Sequence, residues 1–217
     1  MASDVDVCNM ALSLIGSDAI VVSIDPVDGS VESGHCSRFL KQARTEMLDA
    51  FPWSWSKTRA LLAEVANPSL VWAYAYAIPS GMISASRVLN SYAFVDYNFA
   101  PYYGYASPSE MALFNERGTA DFDIEGGVLL TNEPNAVLLY TVDVSDLTRW
   151  SPGSISALSY LLASFLAGPL IKGDAGANVG GKMRQIATRL GGAAMAKDAN
   201  GAAEPGFDMA SSVRARE

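Results

Sequence analysis

Residues 138–170 read LLYTVDVSDLTRWSPGSISALSYLLASFLAGPL, and two kinds of periodicity meet in them. Ala136 to Val142 is apolar at odd and even positions alike, the pattern of a strand buried on both faces. Ser151-Pro152 then sets an N-cap residue before a proline at the first helical position. Ile155, Leu158, Leu161, Leu162, Phe165 and Leu166 follow at helical spacing, the most apolar helix in the chain, and Gly168-Pro169 is expected to break or kink it. A β segment therefore feeds directly into a helix, which predicts an α+β fold.

Upstream of this stretch the signals are β. Ala120 to Glu125 alternates, with Phe122 and Ile124 on one face and Asp121, Asp123 and Glu125 on the other. Gly126-Gly127 is a two-residue hairpin signal, Val128 to Thr131 is the returning strand, and Asn132-Glu133-Pro134-Asn135 is a second turn. With 136–142 these predict a β-meander. Residues 92–105 add seven aromatics, Tyr92, Phe94, Tyr97, Phe99, Tyr102, Tyr103 and Tyr105.

Further out the pattern turns helical. Ser3 and Asp6 form a capping-box pair ahead of Val7, Met10, Ala11 and Leu14, and Gly16 ends that helix. Residues 17–30 read as a loop. A second helix over about 32–51 carries Cys36, Phe39, Leu40, Ala43, Met47 and Phe51, and Pro52 stops it. Trp53 and Trp55 face one way if extended, and 70–78 reads as extended. The last helix, about 176–197, sets Val179, Met183, Ile186, Leu190 and Ala194 on one face. It is rich in glycine, so it needs packing to be ordered. The expected architecture is mainly a helical bundle, its N- and C-terminal helices (1–89 and 148–199) packed together, with an inserted antiparallel β-sheet domain at 90–147. Residues 200–217 are expected to be a flexible tail.

Composition narrows the function. Of 217 residues half are hydrophobic and 18% are charged, against about a quarter in a typical chain. The net charge of −8 is a poor footprint for a nucleic-acid binder. A chain so poor in charge is expected to have surface that a partner or sister subunit covers. Two cysteines, Cys8 and Cys36, make no disulfide framework and read as buried thiols. The N-terminus lacks the basic region of a secretory signal. The uncharged runs 65–86 and 150–171 read as a proline-broken segment and a core helix, so a soluble intracellular protein is expected. Charge is also unevenly placed. Residues 110–146 hold eight acids and one base, while the other 180 residues hold 15 acids and 14 bases. Such asymmetry points to faces with distinct partners.

Candidate chemistry is sparse. Gly176 to Met183, GANVGGKM, matches G-x-x-x-x-G-K but ends in Met where a P-loop needs a hydroxyl for magnesium. His35 is the lone histidine and adjoins Cys36, so the two side chains diverge on a helix; it reads as a solvent-side histidine. One His and two Cys leave zinc short of a ligand. Asp121, Asp123 and Glu125 share one strand face, whereas a glycosidase pair faces across a cleft, so they read as a solvated face. No catalytic residue, metal or cofactor is assigned.

Four blocks, in order, carry a resemblance: ALSLIG (11–16) with the helix ending at Phe51-Pro52-Trp53-Ser54-Trp55; YAYAIPSGMISASRVL (74–89); FDIEGGVLLTN (122–132); and the 138–170 stretch. Together they resemble tail tubular protein A, the head-to-tail adaptor family of short-tailed bacteriophages. The chain departs from that pattern at Ser80-Gly81, where such adaptors often carry an Asp. The resemblance implies a structural virion protein with no enzymatic activity, cofactor or membrane association. It implies a dodecameric ring of copies of this chain, joining a portal protein to a tail nozzle or tube, with DNA passing through the lumen without specific binding. It implies a place in the virion neck or tail, after a stay in the host cytoplasm before assembly. On that reading Asp121, Asp123 and Glu125 line the channel, because basic contacts would grip phosphates. Tyr97, Phe99, Tyr102, Tyr103 and Tyr105 meet a neighbouring subunit or the tail. Lys182, Arg184, Arg189, Phe207, Met209, Arg214 and Arg216 meet the portal. The alternative is a small nucleotide- or metal-dependent enzyme built on 176–183 or His35.

Overall fold

The computed structural model describes residues 2–89 and 119–201. They form helices α1 (Asp4–Leu14) and α2 (Val31–Asp49), then strands β1 (Lys57–Leu61), β2 (Glu64–Val65), β3 (Tyr74–Ala77) and β4 (Met82–Leu89). Strands β5 (Thr119–Ala120), β6 (Phe122–Glu125), β7 (Val128–Thr131) and β8 (Val137–Val142) follow, then a 3-10 turn (Leu147–Arg149), α3 (Pro152–Ile171) and α4 (Gly173–Gly201). The fold is mixed α and antiparallel β. It divides into a unit of Met1–Arg44 with Asp146–Glu217, and a unit of Thr45–Ser145.

In the β unit, β8 has both edges paired, to β1 and to β4, as a strand apolar on both faces should. The sheets run β1-β8-β4-β5 and β2-β3-β7-β6, all antiparallel. The β1–β2, β3–β4, β5–β6 and β7–β8 links each cross from one sheet to the other. Leu62, Tyr76, Val88, Leu129, Ala136, Leu138 and Tyr140 fill the space between the two sheets. The tyrosine keeps its hydroxyl satisfied, because the Tyr76 O–H donates to the Glu133 carbonyl at 2.8 Å. Gly126 and Gly127 both take positive φ, 57° and 82°, and set Glu125 opposite Val128, the two-residue turn the pair predicts.

Two expectations change here. The β domain was expected to start near residue 90, but β1–β4 already belong to it, and the preceding Trp53 indole N–H donates to the Met47 carbonyl within the same unit. The meander ends after one hairpin, because β8 leaves β7 for the centre of the other sheet. Strand β4 hid from its pattern for a geometric reason. Register shifts between Met82 and Ser84 and between Ala85 and Arg87 turn Met82, Ala85 and Val88 inward at a three-residue spacing. Strand β1 hid because it is an edge, with Lys57, Arg59 and Leu61 exposed and only Thr58 and Ala60 turned in.

In the helical unit, Ser3 caps α1. Its hydroxyl accepts the Asp6 N–H at 3.1 Å, and the Asp6 carboxylate accepts the Ser3 N–H at 2.8 Å. Ser151 caps α3 by accepting the Ser154 N–H at 3.2 Å. The expected break at Gly168-Pro169 does not occur: α3 continues to Ile171 and ends at Lys172, whose φ is 62°. So near the end, Pro169 costs the helix a single hydrogen bond, and its ring meets only the last turns. Helix α3 packs against α1 and along α4.

The α3–α4 seam is made of small residues. The apolar face expected of α4 is only half-buried at Val179, Met183, Ile186 and Leu190, whereas Gly176, Ala187, Gly191 and Ala194 are buried. A Cβ on Gly176 would sit 2.8 Å from the Ala167 carbonyl oxygen, and one on Gly180 would sit 3.0 Å from that of Ser164. The backbones are therefore close enough to exclude any side chain there, and close approach returns what glycine costs a helix. Gly181, one position on, has nothing within 4 Å of its Cβ position. Opposite signs are expected at Gly176 and Gly181. Gly176→Ala should destabilise by about 1–3 kcal/mol through overpacking against backbone, while Gly181→Ala should stabilise by about 0.5–1 kcal/mol. Urea unfolding followed by far-UV circular dichroism reads both.

Candidate interaction surfaces

The two sheets turn their inner faces to a shared core and leave two outer faces and two lateral edges. On the outer face of the β1 sheet, cross-strand register sets Arg59, Leu139 and Arg87 in one row and Lys57, Thr141 and Ser84 in the next. Lys57, Arg59 and Arg87 are exposed and have no ion pair among the described residues. A shallow groove of about 390 Å³ lies here, lined by Ser54, Lys57, Thr58, Arg59 and Leu139. Thr141 is fully buried in the adjoining row, and its Oγ1 finds no hydrogen-bond partner.

Asp123 and Glu125 lie on β6, an edge of the other sheet as described, and Asp121 lies in the link between β5 and β6. Asp121, Asp123 and Glu125 are all exposed, and Phe122 packs against the core from the opposite face. The structure thus sets Asp123 and Glu125 on one face of the strand, as the alternation predicts, with Asp121 in the one-residue link just before it. Asp123 also caps its own strand, its Oδ1 accepting the Ile124 N–H at 2.7 Å.

Two loops hold apolar side chains out in solvent. At the β2–β3 tip, Leu70 is 104% and Val71 84% exposed. The backbone beneath them is pinned: the Asn67 side-chain amide donates to the Trp72 carbonyl, the Ser69 hydroxyl accepts the Val71 and Trp72 N–H groups, and Asn132 accepts the Ala73 N–H. In the helical unit the loop between α1 and α2 presents Ile20, Val22 and Val27, with Val31 opening α2. Asp28 organises it, accepting N–H groups from Val22 and Ser30 and the Ser30 hydroxyl. The Ser30 hydroxyl and these N–H groups hold the Asp28 carboxyl far below its ordinary value of 3.8. Asn9 ties the loop to α1 by accepting the Val21 N–H and donating to the Val21 carbonyl. Exposed apolar groups on well-ordered backbone mark contact surface.

Sequence reasoning missed these loops, although the Asn67/Ser69 and Asp28/Ser30 turn pairs are readable signals. It also misplaced His35. The ring is half-buried, stacked on Phe39 at 6.2 Å, with Phe39 stacked on Phe165 at 6.0 Å and the Arg184 guanidinium 5.6 Å over Phe165. The buried His35 Nδ1 has no hydrogen-bond partner. Arg184, expected at the portal, is exposed on α4 and lays its guanidinium over the outer end of this ladder. Cys8 and Cys36 are buried and hydrogen-bond each other; that bond, then burial, holds the Cys8 thiol well above its ordinary value, so it is protonated and unreactive. A groove of about 690 Å³ between α1 and α3 is lined by Asp6, Asn9, Met10, Ser13, Leu14, Ser156, Ser159 and Tyr160.

Gly176 to Met183 lies wholly within α4, so it offers no strand-to-helix loop to cradle a phosphate, and its glycines serve the helix seam instead. Lys182 and Arg189 are exposed on α4. No group of three or more His, Cys, Asp and Glu side chains gathers as metal ligands among the described residues. Among them α3 alone is long and apolar enough to cross a membrane, and half of that stretch is buried. Tyr97, Phe99, Tyr102, Tyr103, Tyr105, Phe207, Met209, Arg214 and Arg216, and the expected tail beyond Gly201, lie outside the described residues. No protein-family model and no curated protein matches this chain.

The Asp28 network carries a prediction with a defined sign. A depressed carboxyl stabilises the loop above its ordinary value of 3.8, and that contribution is lost as pH falls through the lowered one. Asp28→Ala at neutral pH should speed amide exchange at Val22 and Ser30 about fivefold or more, leaving α3 amides unchanged. Hydrogen exchange read by NMR checks it.

Proposed function

We propose that this chain is a structural adaptor subunit of a short-tailed phage, joining the portal to the tail nozzle or tube as a dodecameric ring around a DNA channel. The observation that carries the reading is the order of the four sequence blocks, from Ala11 to Leu170. Two of them coincide with unusual physical features. FDIEGGVLLTN is the acidic β6–β7 hairpin, and the 138–170 block is the doubly paired strand followed by the capped α3. The helical unit is read as a bundle frame interrupted by the β unit.

Exposed apolar loops support the same reading. Leu70 and Val71 on one unit, and Ile20, Val22 and Val27 on the other, are what a subunit needs if neighbours cover them.

Electron microscopy of the purified protein, with and without a portal ring, tests this. Rings of this chain, or an added layer on portal rings, are expected; a monomer that never decorates a portal overturns the reading. The paired change Leu70→Asp and Val71→Asp should leave far-UV circular dichroism unchanged and weaken binding to the portal or tail nozzle about tenfold or more, as loss of apolar anchors does. Pull-down against each partner reads it.

A further inference from the structure

The β unit carries opposite charge on its two lateral edges. Among the described residues, strand β1 ends the first sheet and β6 ends the second. The β1–β2 link ties one side of the sandwich, and the β5–β6 link, passing through Asp121 alone, ties the other. The two edge strands therefore lie on opposite sides. On β1 the exposed Lys57 and Arg59 stand two residues apart, with Arg87 across Leu139 from Arg59. On β6 the exposed Asp123 and Glu125 also stand two residues apart, with Asp121 next along the chain. Alternate residues on a strand repeat every ~6.8 Å, so the two charge pairs share one spacing.

We infer that these edges meet between copies of this chain: the β1 edge of one subunit receives the β6 edge of the next, with Lys57 facing Glu125 and Arg59 facing Asp123. The antiparallel sense fits, because the basic pair runs forward as the acidic pair runs back. Contact is through side chains, since the Ile124 N–H is already held by the Asp123 carboxylate. Arg87, two strands in from that edge across Leu139, adds to its positive field. A contact between two different patches is heterologous and repeats around a closed ring. Charge selects this occupant: the chain supplies its own complementary acids at the matching spacing, and its net charge of −8 opposes nucleic acid as a whole. The inference rests on the ring reading and names the side-to-side contact within it.

Reversing the charges tests it. Variant one carries Lys57→Glu, Arg59→Glu and Arg87→Glu; variant two carries Asp121→Lys, Asp123→Lys and Glu125→Lys. All six sites are exposed, and far-UV circular dichroism checks that each variant folds. A milder set, Lys57→Gln, Arg59→Gln and Arg87→Gln, replaces variant one if it does not. Assembly is followed by sedimentation and electron microscopy, alone and on portal rings. Each reversed variant by itself should associate about tenfold or more weakly than the wild type, with like charges now facing. An equimolar mixture should regain assembly, since every contact is again between opposite charges, and rising salt should weaken both the mixture and the wild type. A mixture that stays apart while the wild type forms rings overturns this contact and leaves the adaptor reading standing. A wild type that neither forms rings nor binds a portal overturns both. Should variant one assemble like the wild type yet lose retention of a DNA duplex, the basic edge belongs to phosphate and the inference fails.

Discussion

Strand β8 is the constraint on which the β unit depends. Its six residues are apolar enough to be buried, so both backbone edges need partners within the protein. Those partners are β1 and β4, which come from 57–61 and 82–89. Pairing is thus long-range on both sides, and the sheet is not complete until the chain has returned to 137–142. The Val142 N–H to Ser56 carbonyl bond and the Asp143 N–H to Gly81 carbonyl bond close the ladder at its end. Within three residues the chain passes into the other unit at Asp146, where its side chain accepts the Thr148 N–H and opens the turn into α3. That requirement sets the domain boundaries. An insertion beginning near residue 90 would leave β8 with neither neighbour.

The helical unit depends on a second kind of closeness. Glycine is a poor helix former, yet α4 runs for 29 residues with Gly176, Gly180, Gly181, Gly191 and Gly192 inside it. Bare backbone at Gly176 and Gly180 lets the α3 carbonyls approach, and the dispersion gained along the seam offsets the propensity lost. The same glycines produce the G-x-x-x-x-G-K look-alike. A motif chosen for small size at one helix face reads, as a string, like a phosphate loop; its place in a continuous helix decides between them.

Charge and apolar surface are sorted rather than mixed. Carboxylates occupy the β6 edge, cations the β1 edge, and exposed aliphatic side chains the loop tips, each supported by backbone hydrogen bonds that hold it in place. Rigid support lowers the entropy lost when such a surface is covered. Internal ladders take up other groups that look available in the sequence. His35 stacks on Phe39 and is half-buried, whereas Arg184 lies over Phe165 and stays exposed.

The local rules were legible where one segment decides its own structure. The Ser3/Asp6 and Ser151 caps, the Gly126-Gly127 turn, the β6 alternation and the apolar run of α3 are all short-range facts of side-chain chemistry and backbone freedom. His35 on the Phe39 face was readable too, since residues four apart share a helix side. What the chain order alone left open was decided by tertiary structure. The bulges in β4 replace period two with period three, which no alternation rule detects. The transfer of β8 out of the meander follows from burying both of its edges. The preference for glycine over larger apolar residues in the α4 seam appears only when another backbone lies about 3 Å from where a Cβ would stand. Opposite charges two residues apart on β1 and β6 are visible in the string, but only the sandwich puts them on opposite sides, because sidedness belongs to packed sheets and not to a strand by itself.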